Sequence, residues 1–103
     1  MQRYYDYVKA QGGDGIETGG GNVERKQAEA VMEAVLFTMG DSVEVARLAE
    51  VIGEDVAQTR EILAGMKARY GKMDRGIMLI ELEDAVQLCT KPEMYEHLIQ
   101  IAK

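Results

Sequence analysis

Histidine and cysteine are the side chains that most often carry nucleophilic or acid–base chemistry, and this chain has one of each. His97 lies in a helix-like segment beside Glu96, and Cys89 lies in a strand-like segment. A histidine base needs a nearby nucleophile and a third group that orients it. No basic cluster flanks Cys89 to stabilise a thiolate. We therefore interpret His97 as a surface residue and Cys89 as a small strand side chain, and expect no enzymatic activity and no catalytic residue.

Metal and nucleotide sites are not indicated either. One histidine and one cysteine cannot supply the four ligands of a structural zinc site, and the carboxylates lack the spacing of a calcium loop. The glycines at Gly12, Gly13 and Gly15 do not match a dinucleotide-binding fingerprint and follow no strand. We expect neither a metal ion nor a cofactor.

Composition narrows the class of protein. The chain has 103 residues, 47% of them hydrophobic and 29% charged, with a net charge of −6. These values predict one globular domain, and the acidic balance disfavours nucleic acid as the main ligand. A lone cysteine fits a reducing compartment, and no apolar run approaches the roughly 20 residues that span a bilayer. We expect a cytoplasmic protein with no membrane segment.

Glycine is concentrated near the N-terminus. Six of the eleven glycines precede Asn22, and glycine at that density loses much backbone entropy on ordering. From Val23 the pattern becomes helical. We therefore predict a flexible N-terminal extension and linker over residues 1–22 and a folded domain over residues 23–103.

Three helical segments should form the body of that domain. The first, Ala28 to Met39, precedes a glycine stop at Gly40. The second runs from about Glu44 to Ile52, where apolar residues recur at i, i+3, i+4 and i+7. The third follows a capping box in which Asp55 is the cap and Gln58 its partner, and its stop is predicted at Gly71.

The period then changes from helical to strand-like. Residues 76–82 and 85–90 form a predicted hairpin, and a last helix should begin near Pro92 with Thr90 and Glu93 as a capping box. The order is helix, helix, helix, hairpin, helix. It predicts an α+β winged helix: a three-helix bundle with a two-stranded β-hairpin wing and a C-terminal helix.

A DNA-binding winged-helix domain, like those of transcription regulators, is the main alternative, because such domains often place the third helix in the major groove. Residues 54–70 carry three acidic and three basic side chains, so the helix with its cap is neutral. The acids Glu54 and Asp55 lie at the end that usually enters the groove, and the wing turn at Glu83 and Asp84 is acidic too. These charges disfavour direct binding to nucleic acid.

Apolar residues exceed what one small core should need. The first helix is apolar on nearly all sides, the strand segment Ile77 to Ile80 is apolar on both faces, and the last helix has a wide apolar face. Exposed apolar surface usually marks an interface. We predict a homodimer whose protein interface includes Met32, Leu36, Tyr95 and Ile99.

Four stretches resemble the bacterial segregation and condensation protein B family. The resemblance covers about residues 27–103, in order, and its last stretch is the most specific. The stretches are Glu33–Gly40 in the first helix, Leu48–Glu50 with Ile52–Gly53 in the second, Arg75–Leu82 in the wing and Gln87–Glu93 after it.

The resemblance implies a fold and a function. Members of this family look like two tandem winged-helix domains that dimerise, commonly through the N-terminal one. They bind the central part of the kleisin, segregation and condensation protein A, in the structural-maintenance-of-chromosomes complex. No catalysis is attributed to them. The resemblance thus implies a non-catalytic dimerisation scaffold of the bacterial condensin, acting in chromosome segregation and condensation. The second winged helix has no counterpart before Lys103.

Overall fold

The computed structural model describes Asp6, Ala10 and residues 24–102. Asp6 and Ala10 are helical and exposed, and the rest of the predicted extension, including its boundary at Val23, lies outside the described residues. The elements over residues 24–102 are, in chain order, α1 (Arg25–Met39), β1 (Val43–Glu44), α2 (Val45–Ile52), α3 (Val56–Lys72), β2 (Ile77–Leu82), β3 (Ala85–Thr90), a 3-10 turn (Pro92–Met94) and α4 (Tyr95–Ala102).

Helices α1 to α3 enclose one apolar core, which β2 and β3 cover on one side. From α1 it takes Ala28, Met32 and Leu36, which are four residues apart and therefore lie on one helix face. Leu79 and Val86 close the core from the strands. The core residues are Ala28, Met32, Leu36, Val45, Leu48, Ile52, Ile62, Leu63, Met66, Tyr70, Leu79 and Val86.

Two glycines end helices, as predicted. Gly40 follows α1 with a φ of 67°, and Gly53 follows α2 with a φ of 72°. Residues with a Cβ rarely adopt this left-handed conformation. The Gly40 N–H donates to the Leu36 carbonyl at 3.1 Å, so the chain turns sharply towards β1.

Asp55 begins α3, as predicted. Its Oδ1 accepts a hydrogen bond from the Gln58 N–H at 2.7 Å, and the buried Thr59 hydroxyl donates to the Asp55 carbonyl at 2.8 Å. The predicted stop at Gly71 is wrong, because α3 continues to Lys72. A glycine costs a helix only about 1 kcal/mol, which the packing of a long helix offsets.

The hairpin forms as predicted, but the sheet has three strands. The order is β1-β3-β2, all antiparallel. Strand β1 was not predicted, because two residues are too few to show a period. Leu79 is buried on the core face, whereas Met78 and Ile80 on the opposite face are only half-buried. Within this one chain, the strand is therefore buried at Leu79 and only partly covered on the opposite face.

The last helix starts differently from the prediction. The predicted capping box of Thr90 and Glu93 does not form: Lys91 is the cap of the 3-10 turn, with no side-chain hydrogen bond, and α4 follows at Tyr95. Pro92 occupies the first turn, where its missing N–H leaves no hydrogen bond unmade. The three-helix bundle, wing and C-terminal helix make up the predicted α+β winged helix.

Candidate protein-interaction surfaces

The two residues with reactive side chains, His97 and Cys89, do not belong to a cluster of metal-binding side chains among the described residues. His97 is exposed on α4, and Cys89 is half-buried on β3, paired across the hairpin with Met78. No group of three or more His, Cys, Asp or Glu among the described residues could hold a metal ion. Within the same residues, no helix combines the length and apolar character needed to cross a membrane.

The four predicted interface residues divide into two pairs. Met32 and Leu36 are 0% and 1% exposed. They belong to the core and present no surface to a partner, which corrects the prediction for α1. Tyr95 and Ile99 on α4 are 65% and 41% exposed. Both can contact a partner, and their role in an interface stays a prediction.

Phe37 is the exposed apolar residue of α1 that sequence reasoning missed. Its side chain is 80% exposed and follows directly after the buried Leu36. At about 100° per residue it points away from the stripe of Ala28 and Met32. Its outward position was readable from the helical periodicity, because it falls opposite that stripe. An aromatic side chain so exposed is typical of an anchor for a protein partner.

A second apolar surface lies between the C-terminal end of α1, strand β1 and helix α2. We call it the α1–α2 groove. It encloses about 260 Å³, and two of its residues, Met39 and Val51, are 59% and 54% exposed. The lining residues are Val35, Met39, Ser42, Val43, Glu44, Arg47, Leu48 and Val51.

Helix α4 is the third exposed apolar surface. All eight of its residues are exposed, and its packing is chiefly against the 3-10 turn that leads to it. Tyr95, Leu98 and Ile99 share one face by their i, i+3, i+4 spacing, and Ile101 beside them is 85% exposed. The helix therefore displays an amphipathic face that the described domain covers only in part.

Polar contacts connect the middle of α1 to the C-terminal half of α3. The Tyr70 hydroxyl donates to the Glu33 carboxylate, and the Arg69 guanidinium donates to Glu29. Burial, and then the hydrogen bond to Glu33, raise the pKa of Tyr70 well above its ordinary value. The hydrogen bond to Glu29 raises the pKa of Arg69. Tyr70 is therefore a neutral donor that connects the two helices.

Acidic neighbours pair with three of the four basic residues of α3. Arg60 lies 3.9 Å from Asp84 in the wing turn, and Lys67 lies 3.1 Å from Glu81 on β2. Arg69 pairs with Glu29, whereas Lys72 at the end of the helix has no ion pair among the described residues. Each of the three pairs places a carboxylate beside a cation that would otherwise attract a phosphate, which disfavours DNA binding by this helix.

Comparisons with known proteins identify the family. The model of the family described as segregation and condensation complex subunit ScpB matches residues 30–103. The segregation and condensation protein B of Lachnoclostridium phytofermentans is 48% identical over 80 residues, 78% of this chain and 42% of that protein. The one from Agathobacter rectalis is 46% identical over 76 residues, 73% of this chain and 41% of that protein. The chain thus spans about two fifths of these relatives' length.

Solved structures agree with the fold. A crystal structure of a dimer of the ScpB N-terminal domain complexed with a ScpA peptide matches with a TM-score of 0.70 and 28% identity, over 74% of this chain and 95% of that one. ScpB from Mycobacterium tuberculosis matches with a TM-score of 0.74 over 80% of this chain and 51% of that one; at 18% identity this shows the fold alone. Because the family model and the relatives match over the same winged helix, the chain belongs to the ScpB family of segregation and condensation complex subunits.

Proposed function

We propose that this chain is a non-catalytic scaffold domain of the bacterial condensin complex, acting in chromosome segregation in the cytoplasm. In this role it forms a homodimer and binds the kleisin subunit, segregation and condensation protein A. Family membership supports the assignment to the complex. The solved N-terminal domain that it resembles is a dimer with a ScpA peptide, which supports both partners.

The observation that carries the proposal is the exposed apolar surface. Phe37, Tyr95 and Ile101 are 80%, 65% and 85% exposed. In a small acidic domain, large side chains left in water at this level are a cost unless a partner covers them. An interface that buries aromatic and aliphatic anchors gains most of its affinity from a few such residues. A second copy of the chain and the kleisin together would cover more of this exposed apolar surface than either partner alone.

Light scattering after size-exclusion chromatography tests the dimer. We expect twice the monomer mass of 11.4 kDa at micromolar concentration. A monomer mass that persists at high protein concentration contradicts the dimer. The same measurement in 1 M salt should still give a dimer, because apolar contacts are not screened by salt whereas exposed ion pairs are.

Fluorescence anisotropy with a labelled peptide from the central region of segregation and condensation protein A tests kleisin binding. We expect saturable binding by the wild-type chain. Phe37→Ser should weaken either the dimer or the peptide complex by about 10-fold or more, since it removes a large apolar anchor. Thr38→Ser, at the adjacent exposed position, is the matched control and should bind as wild type does. Wild-type protein that binds no peptide contradicts the kleisin proposal and leaves the dimer standing.

A further inference from the structure

Helix α4 contributes no residue to the buried core of its own domain. It has eight residues, all exposed, whereas isolated helices shorter than about 12–15 residues are marginal in water. Tyr95, Leu98 and Ile99 form an apolar stripe along one side. A short helix with such a stripe is stable when the stripe packs on another surface, and this stripe is still 40–65% exposed.

The α1–α2 groove is an apolar surface of the matching kind. It has room for side chains, about 260 Å³, and its rim residues Met39 and Val51 are more than half exposed. An amphipathic helix that lays its apolar face into such a groove is a common mode of protein recognition.

Helix α4 does not occupy this groove in its own chain. The turn before it places Met94 against Gly76, next to the end of α3, and that end of α3 contacts Glu29 and Glu33 of α1. The groove is lined from Val35 onwards by α1, β1 and α2, and no residue of α4 lines it.

We propose that α4 of one protomer docks into the α1–α2 groove of a second copy, and that the two copies exchange these helices about a two-fold axis. The inference rests on the proposed dimer and specifies how it is built. In an isologous dimer each contact occurs twice, so one stripe and one groove on each chain satisfy both partners. Neither surface is left uncovered.

The area and the charge of the two surfaces fit this exchange. At about 200 Å² for a fully exposed large side chain, the exposed parts of the groove rim and of the α4 apolar residues amount to roughly 700 Å² per protomer, close to the ~800 Å² of a standard interface. Arg47 on the groove rim has no ion pair among the described residues. Glu96 flanks the stripe of α4 and supplies the opposite charge.

Disulfide trapping between two different single-cysteine chains tests the exchange. In a Cys89→Ser background, one chain carries Val51→Cys and the other Leu98→Cys, and the two are mixed and oxidised. We expect a cross-linked heterodimer, identified by its intact mass, because the docked helix brings the two Cα atoms within the reach of a disulfide. With Gln100→Cys on the polar face of α4 in place of Leu98→Cys, the cross-link should form several-fold more slowly. Efficient self-cross-linking of the Leu98→Cys chain, which means that α4 packs on α4, overturns the exchange.

Sedimentation equilibrium of a charged variant gives an independent test. Leu98→Glu should raise the dimer dissociation constant at least about 100-fold, since the lost contact occurs twice, and Gln100→Glu on the polar face should leave it nearly unchanged. Circular dichroism should show both variants folded, because α4 contributes no residue to the buried core. A stable wild-type dimer that Leu98→Glu does not weaken contradicts the exchange and leaves the dimer intact. A monomeric wild-type chain contradicts both.

Discussion

Tyr70 is a residue at which burial and one hydrogen bond decide the protonation state. It is 8% exposed and donates to Glu33 on α1, and its pKa is raised in the folded chain. A raised folded pKa means that its stabilisation is complete below the unfolded tyrosine pKa of about 10 and declines as the pH rises above it. The unfolding free energy should therefore fall between pH 10 and 11.

Tyr70→Phe should remove the part of this loss of unfolding free energy above pH 10 that Tyr70 causes. At pH 7 the variant should also lose about 1–3 kcal/mol of unfolding free energy, since a hydrogen bond to a charged acceptor is removed. Urea denaturation at pH 7 and above pH 10 measures both effects. Tyr95→Phe is the matched control, because Tyr95 is 65% exposed, and it should cost far less unfolding free energy at pH 7. Equal slopes for wild type and Tyr70→Phe would contradict the raised pKa.

A substitution at Met32 distinguishes a core residue from an interface residue. It is fully buried, so Met32→Ala should lower the unfolding free energy by about 2–5 kcal/mol through the cavity that it leaves. Thermal denaturation should show the same loss at low and high protein concentration, because the effect lies within one chain. Met39→Ala, on the same helix but 59% exposed, should cost far less. A loss of stability that grows with protein concentration would instead show that Met32 lies in an interface.

Apolar periodicity predicts burial better than it separates core from interface. The pattern of α1 placed Met32 and Leu36 on an apolar helix, and the structure buries both. Phe37 is also apolar but is exposed, because its angular position on the helix, rather than its hydrophobicity, sets whether a side chain faces the bundle. The helical periodicity places Phe37 opposite the buried stripe of α1, but an apolar residue there could also contact another element of the same chain, so only the assembled fold shows that it is exposed.

At the scale of the elements, the start of α3 depends on one carboxylate. Asp55 accepts a hydrogen bond from the Gln58 N–H at 2.7 Å, so Asp55→Ala should lower the unfolding free energy by about 1 kcal/mol. Thr90→Ala is the matched control, since Thr90 is a predicted cap whose capping bond does not form. Denaturant midpoints of the two variants check the difference. A larger loss for Thr90→Ala than for Asp55→Ala would reverse this assignment of caps.

Element types were predictable from local signals, and element ends less so. Gly40 and Gly53 end helices because the chain needs a positive φ there, which residue type alone indicates. Gly71 looks the same in sequence but lies inside α3, because its backbone does not adopt the positive φ that ends the other two helices. Strand β1 exists only through its pairing with Val86 and Ala85, a long-range contact that no short window of sequence contains.

At the scale of the whole molecule, the order of helical and strand-like periodicities along the chain predicted the winged-helix fold. It did not predict which surface is left exposed for partners. Three helical segments, a hairpin and a last helix admit few arrangements. The exposed surface is what packing leaves uncovered, so it depends on every contact at once. The interface role of Tyr95 and Ile99 on α4 therefore stays a prediction. The α1–α2 groove could be recognised only after β1 and α2 were placed beside Met39.

The charge of the whole molecule yields the last prediction, which concerns DNA. With a net charge of −6 and with Arg60, Lys67 and Arg69 paired to carboxylates, the isolated domain should bind duplex DNA no more tightly than about 10⁻⁴ M at physiological salt. Fluorescence anisotropy of a labelled duplex between 50 and 200 mM salt measures this. Glu81→Gln frees Lys67 and should strengthen the weak binding at low salt, whereas Glu96→Gln, which removes the same charge on α4, should have a smaller effect. Tight wild-type binding that falls steeply with salt would show that the paired cations are available to phosphates, and would favour the DNA-binding alternative over the scaffold.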